Sequence, residues 1–232
     1  WVGERKYKAC RGGRPERISI KQNILPRLRL PTMKKILLAS NNPGKVREIR
    51  AILAEHDFNV VPQAELGIPD ADETGLTFVE NAILKARHAA YHSGLPAIAD
   101  DSGLEVDALG GAPGAYSARY AGPGATDAEN NARLLESLAG IPPVRRTARF
   151  RCVMVYLRHA GDPSPILAEG VWPGRILEEA RGAAGFGYDP LFYVPEHGCA
   201  SAELPREEKN RLSHRGQALR ALAAALAVEA SR

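Results

Sequence analysis

The chain has 232 residues, 44% apolar and 25% charged, which is enough for one sizeable core and too apolar for a disordered segment. No apolar run approaches the ~18 residues of a membrane span, and Cys10, Cys152 and Cys199 form no Cys-x-x-Cys pair, which argues against a zinc site or disulfide framework and suits a reducing cytoplasm. The net charge of +4 invites nucleic acid, yet nine of the 31 Lys/Arg and only two of the 27 acids fall in residues 1–32. The other 200 residues carry an acidic excess of three, a poor electrostatic footprint for DNA or RNA.

Residues 1–32 lack an apolar h-region and a clear period, and Met33 stands directly before a strand-like run. They are expected to be an upstream extension outside the fold, with an Arg-rich transit segment as the alternative. Residues 33–232 are expected to form one domain starting at Met33.

Residues 35–39 (Lys-Ile-Leu-Leu-Ala) predict a first strand. Ser40-Asn41-Asn42-Pro43-Gly44-Lys45 breaks it, and Val46, Ile49, Ile52 and Leu53 follow at helical spacing. A strand, a polar Gly-containing loop and a helix present backbone N–H groups to an anion, and Lys45 adds a point charge suited to phosphate. The P-loop pattern is absent. Residues 58–61 predict a second strand. Thr77 and Glu80 have capping-box spacing, opening a helix whose apolar face is expected to be Val79, Ile83, Ala86 and Ala90. Just upstream, Asp72 and Glu73 suit either a helix dipole or a hard-cation site with Asp101.

Residues 95–99 predict a buried strand ending at Asp100-Asp101, with Ser102-Gly103 as a turn and residues 104–109 as a further strand. Two adjacent carboxylates at a strand end call for a metal ion or for protonation of one of them. Thr126 and Glu129 form a second capping box, opening a helix to Leu138. Residues 147–157 alternate as a long strand, paired with 166–171 across Gly161-Asp162-Pro163. In Gly182 to Pro190, glycines flank Phe186 and let backbone approach a flat ligand while the ring stacks on it. Ser213 is placed to cap the last helix. His214 and Arg215 fall in its first turn, where a cation opposes the helix dipole and hints at a functional placement.

Six strings occur in order: Ser40-Asn41-Asn42-Pro43-Gly44-Lys45, Thr77-Phe78-Val79-Glu80-Asn81-Ala82, Asp100-Asp101-Ser102-Gly103-Leu104, Gly110-Gly111-Ala112-Pro113-Gly114, Phe186-Gly187-Tyr188-Asp189-Pro190 and Ser213-His214-Arg215-Gly216. Together they resemble the Ham1-like inosine triphosphate pyrophosphatases over about residues 34–226. The resemblance implies an elongated, two-lobed α/β fold: a central mixed β-sheet flanked by helices, with the active-site cleft between the lobes. It also implies a homodimer and Mg2+-dependent hydrolysis of ITP, dITP and XTP to the monophosphate and pyrophosphate.

By the same resemblance, Ser40, Asn41, Asn42, Pro43, Gly44 and Lys45 cradle the triphosphate. Asp101 matches the proton acceptor and metal ligand, and Ser102 contacts substrate. Phe186, Gly187, Tyr188, Asp189, Lys209, His214 and Arg215 match nucleotide-binding positions. The family often has Glu-Glu-Thr-Gly where this chain has Asp72-Glu73-Thr74-Gly75, and the first acid tends to be the second metal ligand. Aspartate is shorter, so Asp72 and Glu73 both stay open for that role.

Selection of the base calls for donors aimed at the 6-oxo group, a part suited to His214 and Arg215. A purine sensor without hydrolysis is the rival from another class, and it predicts loss of the acids that are present here. A Maf-like nucleotide pyrophosphatase is the enzyme rival, disfavoured by Phe186 to Asp189 and Ser213-His214-Arg215.

Overall fold

The computed structural model describes residues 34–54 and 58–230, and the expectations for residues 1–33 lie outside the described residues. Among the described residues, seven strands form one mixed sheet in the order β2-β1-β3-β4-β5-β6-β7. β1 (Lys34–Leu38), β2 (Phe58–Pro62) and β3 (Ala97–Val106) run parallel. β4 (Thr147–Leu157), β5 (Ile166–Ile176), β6 (Phe192–Val194) and β7 (Cys199–Ala200) continue antiparallel. The mixed sheet flanked by helices is the expected fold class.

The central departure from the sequence reading is β3. It does not end at Asp101. Ser102 and Gly103 pair with Cys152 and Arg151 of β4, and the ladder runs on to Val106 before a 3-10 turn at Asp107–Leu109. Turn propensity at Ser-Gly loses to ten consecutive cross-strand partners on β4. β5 likewise extends five residues past the expected end at Val171, because β4 is long enough to template it.

The first helix, α1 (Pro43–Ala54), starts three residues earlier than expected, so Gly44 and Lys45 lie in its first turn. Asn42 makes this possible: its Oδ1 accepts the N–H groups of Gly44 (2.9 Å) and Lys45 (3.2 Å), and Pro43 takes the N1 position that proline favours. α2 (Phe78–Ser93) and α3 (Asp127–Ser137) open on the two expected capping boxes, Thr77–Glu80 and Thr126–Glu129. The buried face of α2 is rotated from the expected one. It consists of Phe78, Asn81, Ala82, Ala86, Ala89 and Ala90, while Val79 is exposed and Ile83 only half-buried. α4 (Arg206–Leu212) leads into α5 (His214–Ala230), whose N-terminus is capped by Ser213 Oγ accepting from Gly216 N–H at 3.2 Å.

The period of two along β3 sorts its residues between the faces of the sheet. On one face Ile98 joins a core built with Ile49 and Leu53 of α1 and Leu219, Leu222 and Leu226 of α5. Further along that same face, Leu104 and Val106 join a second core with Leu134 of α3 and with Phe150, Trp172, Tyr188 and Phe192. Asp100 and Ser102 occupy the gap between these two cores. The opposite face carries Ala97 and Ala99, packed on the alanines of α2. Gly170 of β5 is needed where α5 docks: a Cβ there would run into the His214 carbonyl and lie 2.7 Å from Ala218 N. No helix among the described residues is long and apolar enough to cross a membrane.

Candidate active site

β1 pairs with β3 only through Leu37–Ala97 and Leu38–Ile98 and then departs into the 40–45 segment. Beyond that point one edge of β3 is open, beside the carboxyl end of a parallel strand, where open α/β sheets place ligands. A cleft of about 360 Å3 lies there, with Ser102 and Gly103 at its floor. Its walls bring together Asn42, Lys45, Phe186, Gly187, Tyr188, Asp189, Lys209, His214 and Arg215. These nine and Ser102 were all expected site residues, and they come from four separate stretches of the chain.

The two aspartates point to opposite faces. Asp100, 1% exposed, receives Lys45 Nζ at 2.7 Å and stands 3.8 Å from Arg215 Nε. Burial disfavours its charge, but the cations of Lys45, Arg215 and Lys85 outweigh this and hold its pKa far below the usual carboxylate range. Arg215 Nη2 also reaches Ser102 Oγ at 3.4 Å. The conflict between a cation and the α5 dipole is thus resolved within the chain: Asp100 is the acceptor. His214 adds no charge, because burial and the neighbouring Arg215 and Lys209 push its pKa well below 6.5. Its ring stacks on Phe150, with centroids 4.8 Å apart, and its Nδ1 is buried without a hydrogen-bond partner among the described residues.

On the other face, Asp101 Oδ1 lies 2.8 Å from Lys85 Nζ, and Glu73 Oε1 lies 2.8 Å from the same nitrogen. Arg119 Nη1 approaches Glu73 Oε2 at 3.4 Å, and Asn81 Nδ2 faces Asp101 Oδ2 at 3.4 Å. Burial pushes the pKa of Asp101 up. Lys85 opposes this, while Glu73 and Asp100 add to it. For Glu73, burial also acts upward, but Lys85 and Arg119 prevail and its pKa falls. Two carboxylates converging on one cation match the donor set of a hard divalent ion that takes one or two carboxylates and completes its shell with substrate oxygens and water. Among the described residues no cluster of three or more His, Cys, Asp or Glu is arranged to hold a metal unaided. Glu73 belongs to this pair. Asp72, the alternative, is exposed and stands outside it.

Several expected site residues serve the architecture. Ser40 is buried and its Oγ accepts from Asn42 N–H at 3.2 Å. Asn41 Nδ2 donates to Asp70 Oδ1 at 2.9 Å, tying the first loop to the acidic one. Asp189 is an internal anchor: it pairs with Lys209 and accepts from Ser201 Oγ (2.9 Å) and Phe186 N–H (2.8 Å). Gly185, at φ +86°, is required because a Cβ there would collide with the Asp189 carboxylate. That glycine makes room for an aspartate rather than for a ligand. Tyr188 is buried, and its hydroxyl donates to Ser117 O at 2.8 Å. Phe186 remains half-exposed in the cleft, with Lys209 Nζ and Arg215 Cζ 5.3 and 5.5 Å from its ring centre.

The fold, the divided aspartates and the Ser213-His214-Arg215 helix start stand together with a match to the Ham1 family model over residues 36–225. The chain belongs to the Ham1 family. It is 63% identical over 193 residues to a dITP/XTP pyrophosphatase of Methylococcus capsulatus, covering 83% of this chain and 96% of that protein. A dITP/XTP pyrophosphatase of Yersinia pseudotuberculosis is 62% identical over 194 residues, covering 84% and 98%. Among solved structures, a HAM1 protein from Coxiella burnetii superposes with a TM-score of 0.80 at 52% identity, covering 84% of this chain and 98% of that one.

Within this Ham1 fold, Lys85 and Asn81 are site residues that the sequence reading passed over. The signal was there: both fall on the helical face of Ala82, Ala86 and Ala89, where a lysine and an asparagine amid buried alanines need polar partners.

Proposed function

We propose that this protein is a nucleoside triphosphate pyrophosphatase that hydrolyses non-canonical purine nucleotides, ITP, dITP and XTP, to the monophosphate and pyrophosphate. The observation that carries the reading is the Asp101–Lys85–Glu73 cluster, on the face of β3 opposite the cleft and one residue along the strand from its Ser102 floor, with Lys45, Lys209 and Arg215 lining the cleft itself. Water attacks the α-phosphorus, the bond from that phosphorus to the α–β bridging oxygen breaks, and pyrophosphate leaves. Asp101, its basicity raised by burial, accepts the proton of the attacking water. Lys45 and Lys85 neutralise the triphosphate and align it, helped by the positive end of the α1 dipole, since the first-turn N–H groups of Gly44 and Lys45 are taken by Asn42 rather than left open to phosphate. Mg2+ fits as the cofactor, held by Asp101 and Glu73 with substrate oxygens, and when bound it supplies further charge neutralisation at the phosphates.

Phe186 offers its ring to the base, and His214 and Arg215 present polar atoms to the 6-oxo group. Adenine carries an amino donor at that position, so a donor would face a donor. Residues 33–232 are the catalytic unit in this reading, and the protein acts as a homodimer in the cytoplasm. Pyrophosphate release measured over ITP, dITP, XTP, ATP and GTP, with and without Mg2+, tests the assignment. Equal rates on all five, or no release from any, would refute it. Sedimentation of the purified chain tests the dimer.

A further inference from the structure

Gly187, next to the half-exposed Phe186, has both of its peptide groups taken by one helix. Its N–H donates to Asp127 Oδ2 at 2.7 Å, and its carbonyl accepts from Asn131 Nδ2 at 2.9 Å. Asp127 and Asn131 are four residues apart and therefore neighbours on one face of α3, a helix whose start is fixed independently by the Thr126–Glu129 capping box. Gly187 sits at φ +61°, a left-handed conformation in which its N–H and carbonyl both reach that face. The Asn131 amide is otherwise poorly provided for: its Oδ1 is buried with no hydrogen-bond partner among the described residues. A buried acceptor without a partner is costly, so the Asn131 amide depends on its Nδ2 contact to the Gly187 carbonyl.

We propose that Asp127 and Asn131 are positioning residues that clamp the Gly187 peptide and so hold the Phe186 ring as the platform for the purine base. The inference rests on the nucleotide-hydrolysing reading of the cleft and names what sets its base-binding end. The Asp189 carboxylate grips the loop at Phe186 N–H, and Asp127, which also lines the cleft, grips it with Asn131 one peptide further on. With both grips in place the Cα of Phe186 is fixed on either side, and the ring does not have to be ordered when substrate arrives, which lowers the entropy cost of binding. The clamp bonds to the Gly187 peptide, next to the Phe186 ring and apart from the Asp101–Lys85–Glu73 cluster, so its effect is expected on ligands that carry a base.

The test uses the full chain and the variants Asp127→Ala, Asp127→Asn and Asn131→Ala. Three readouts are taken: steady-state pyrophosphate release from ITP, competitive inhibition by inorganic tripolyphosphate, which has no base, and hydrogen exchange of the 183–189 amides in the free protein. For Asp127→Ala the expected result is a KM for ITP raised about threefold to tenfold, the scale of one lost hydrogen bond, with kcat within twofold. The tripolyphosphate inhibition constant stays within twofold and exchange at 186–188 becomes faster. Asn131→Ala gives the same pattern. Asp127→Asn, whose amide oxygen still accepts the Gly187 N–H, recovers most of the loss.

Equal rises for ITP and tripolyphosphate would overturn the clamp in favour of a general structural role. So would unchanged KM and exchange, or an Asp127→Asn no better than Asp127→Ala. If the parent protein releases no pyrophosphate from any nucleotide, the functional reading fails. Hydrogen exchange still decides the clamp in that case, because it needs no substrate.

Discussion

Asp100 and Asp101 are adjacent in sequence, identical in chemistry and both buried, yet the fold drives them apart. Asp100 faces α1 and α5, holds Lys45 and Arg215, and has its pKa pushed down. Asp101 faces α2, shares Lys85 with Glu73, and has its pKa pushed up. The difference is one of counting. Asp100 meets two cations of its own, whereas Asp101 must share one cation with a second carboxylate. The first arrangement makes an anchor that orients cations toward the cleft. The second makes a base with a reason to accept a proton or a metal ion.

The comparison is broken most severely at Asp101. Asp101→Asn is expected to lower kcat by about 10²–10⁴-fold, as loss of a general base does, while the protein stays folded. Burial opposes the Asp101 charge while Lys85 depends on it, so the two effects offset and the asparagine variant should melt close to the parent at pH 7, as calorimetry would show. Asp100→Asn should cost stability outright. Two cations lose their buried partner, and the cost is about 3–5 kcal/mol. Its pKa is depressed, so this stabilisation is complete above the unfolded value near ~3.9 and fades as pH falls below it. An Asp100→Asn protein as stable as the parent would show that Asp100 is no anchor.

Lys85 sharpens the contrast. Lys85→Met removes the shared cation, leaves Glu73 and Asp101 repelling each other, and should lower turnover about 10²-fold, on the scale of a lost electrostatic stabiliser. The sign of the pH effect is fixed, since Lys85 holds the Asp101 pKa down. The acidic limb of the kcat/KM profile should move to higher pH. A limb that stays in place would place the titrating group elsewhere.

Arg215, held by Asp100, is expected to act on the base. Arg215→Ala should cut kcat/KM for ITP by about 1–3 kcal/mol more than for ATP, by analogy with base contacts in duplexes. Equal losses for both substrates would make it a phosphate or structural residue.

The smallest effect belongs to His214. Its folded-state pKa lies below the unfolded ~6.5. Below that pH the unfolded chain binds a proton that the folded one refuses, so stability falls as pH drops from there. His214→Phe should flatten this part of the melting curve between pH 6.5 and pH 5. An unchanged slope would mean that another group carries it.

Much of the molecule was written locally. The capping boxes at Thr77–Glu80 and Thr126–Glu129, the Ser213 cap and the first strand-to-helix step follow from interactions within a few residues. The polar strings also held most of the residues that line the cleft. What sequence could not settle was set by partners far along the chain. β4 alone turns Asp100-Asp101-Ser102-Gly103 from a strand end into mid-strand and so sends the two acids to opposite faces. Lys85, twelve residues from Glu73 and sixteen from Asp101, becomes their shared cation only when α2 packs on that face. Asp189 resembled a ligand-binding acid until Lys209, Ser201 and the Phe186 amide turned it into an anchor. Local periodicity states which way a side chain points relative to its neighbours. It cannot state what stands opposite, and for a carboxylate the group opposite decides whether it is an anchor or a base.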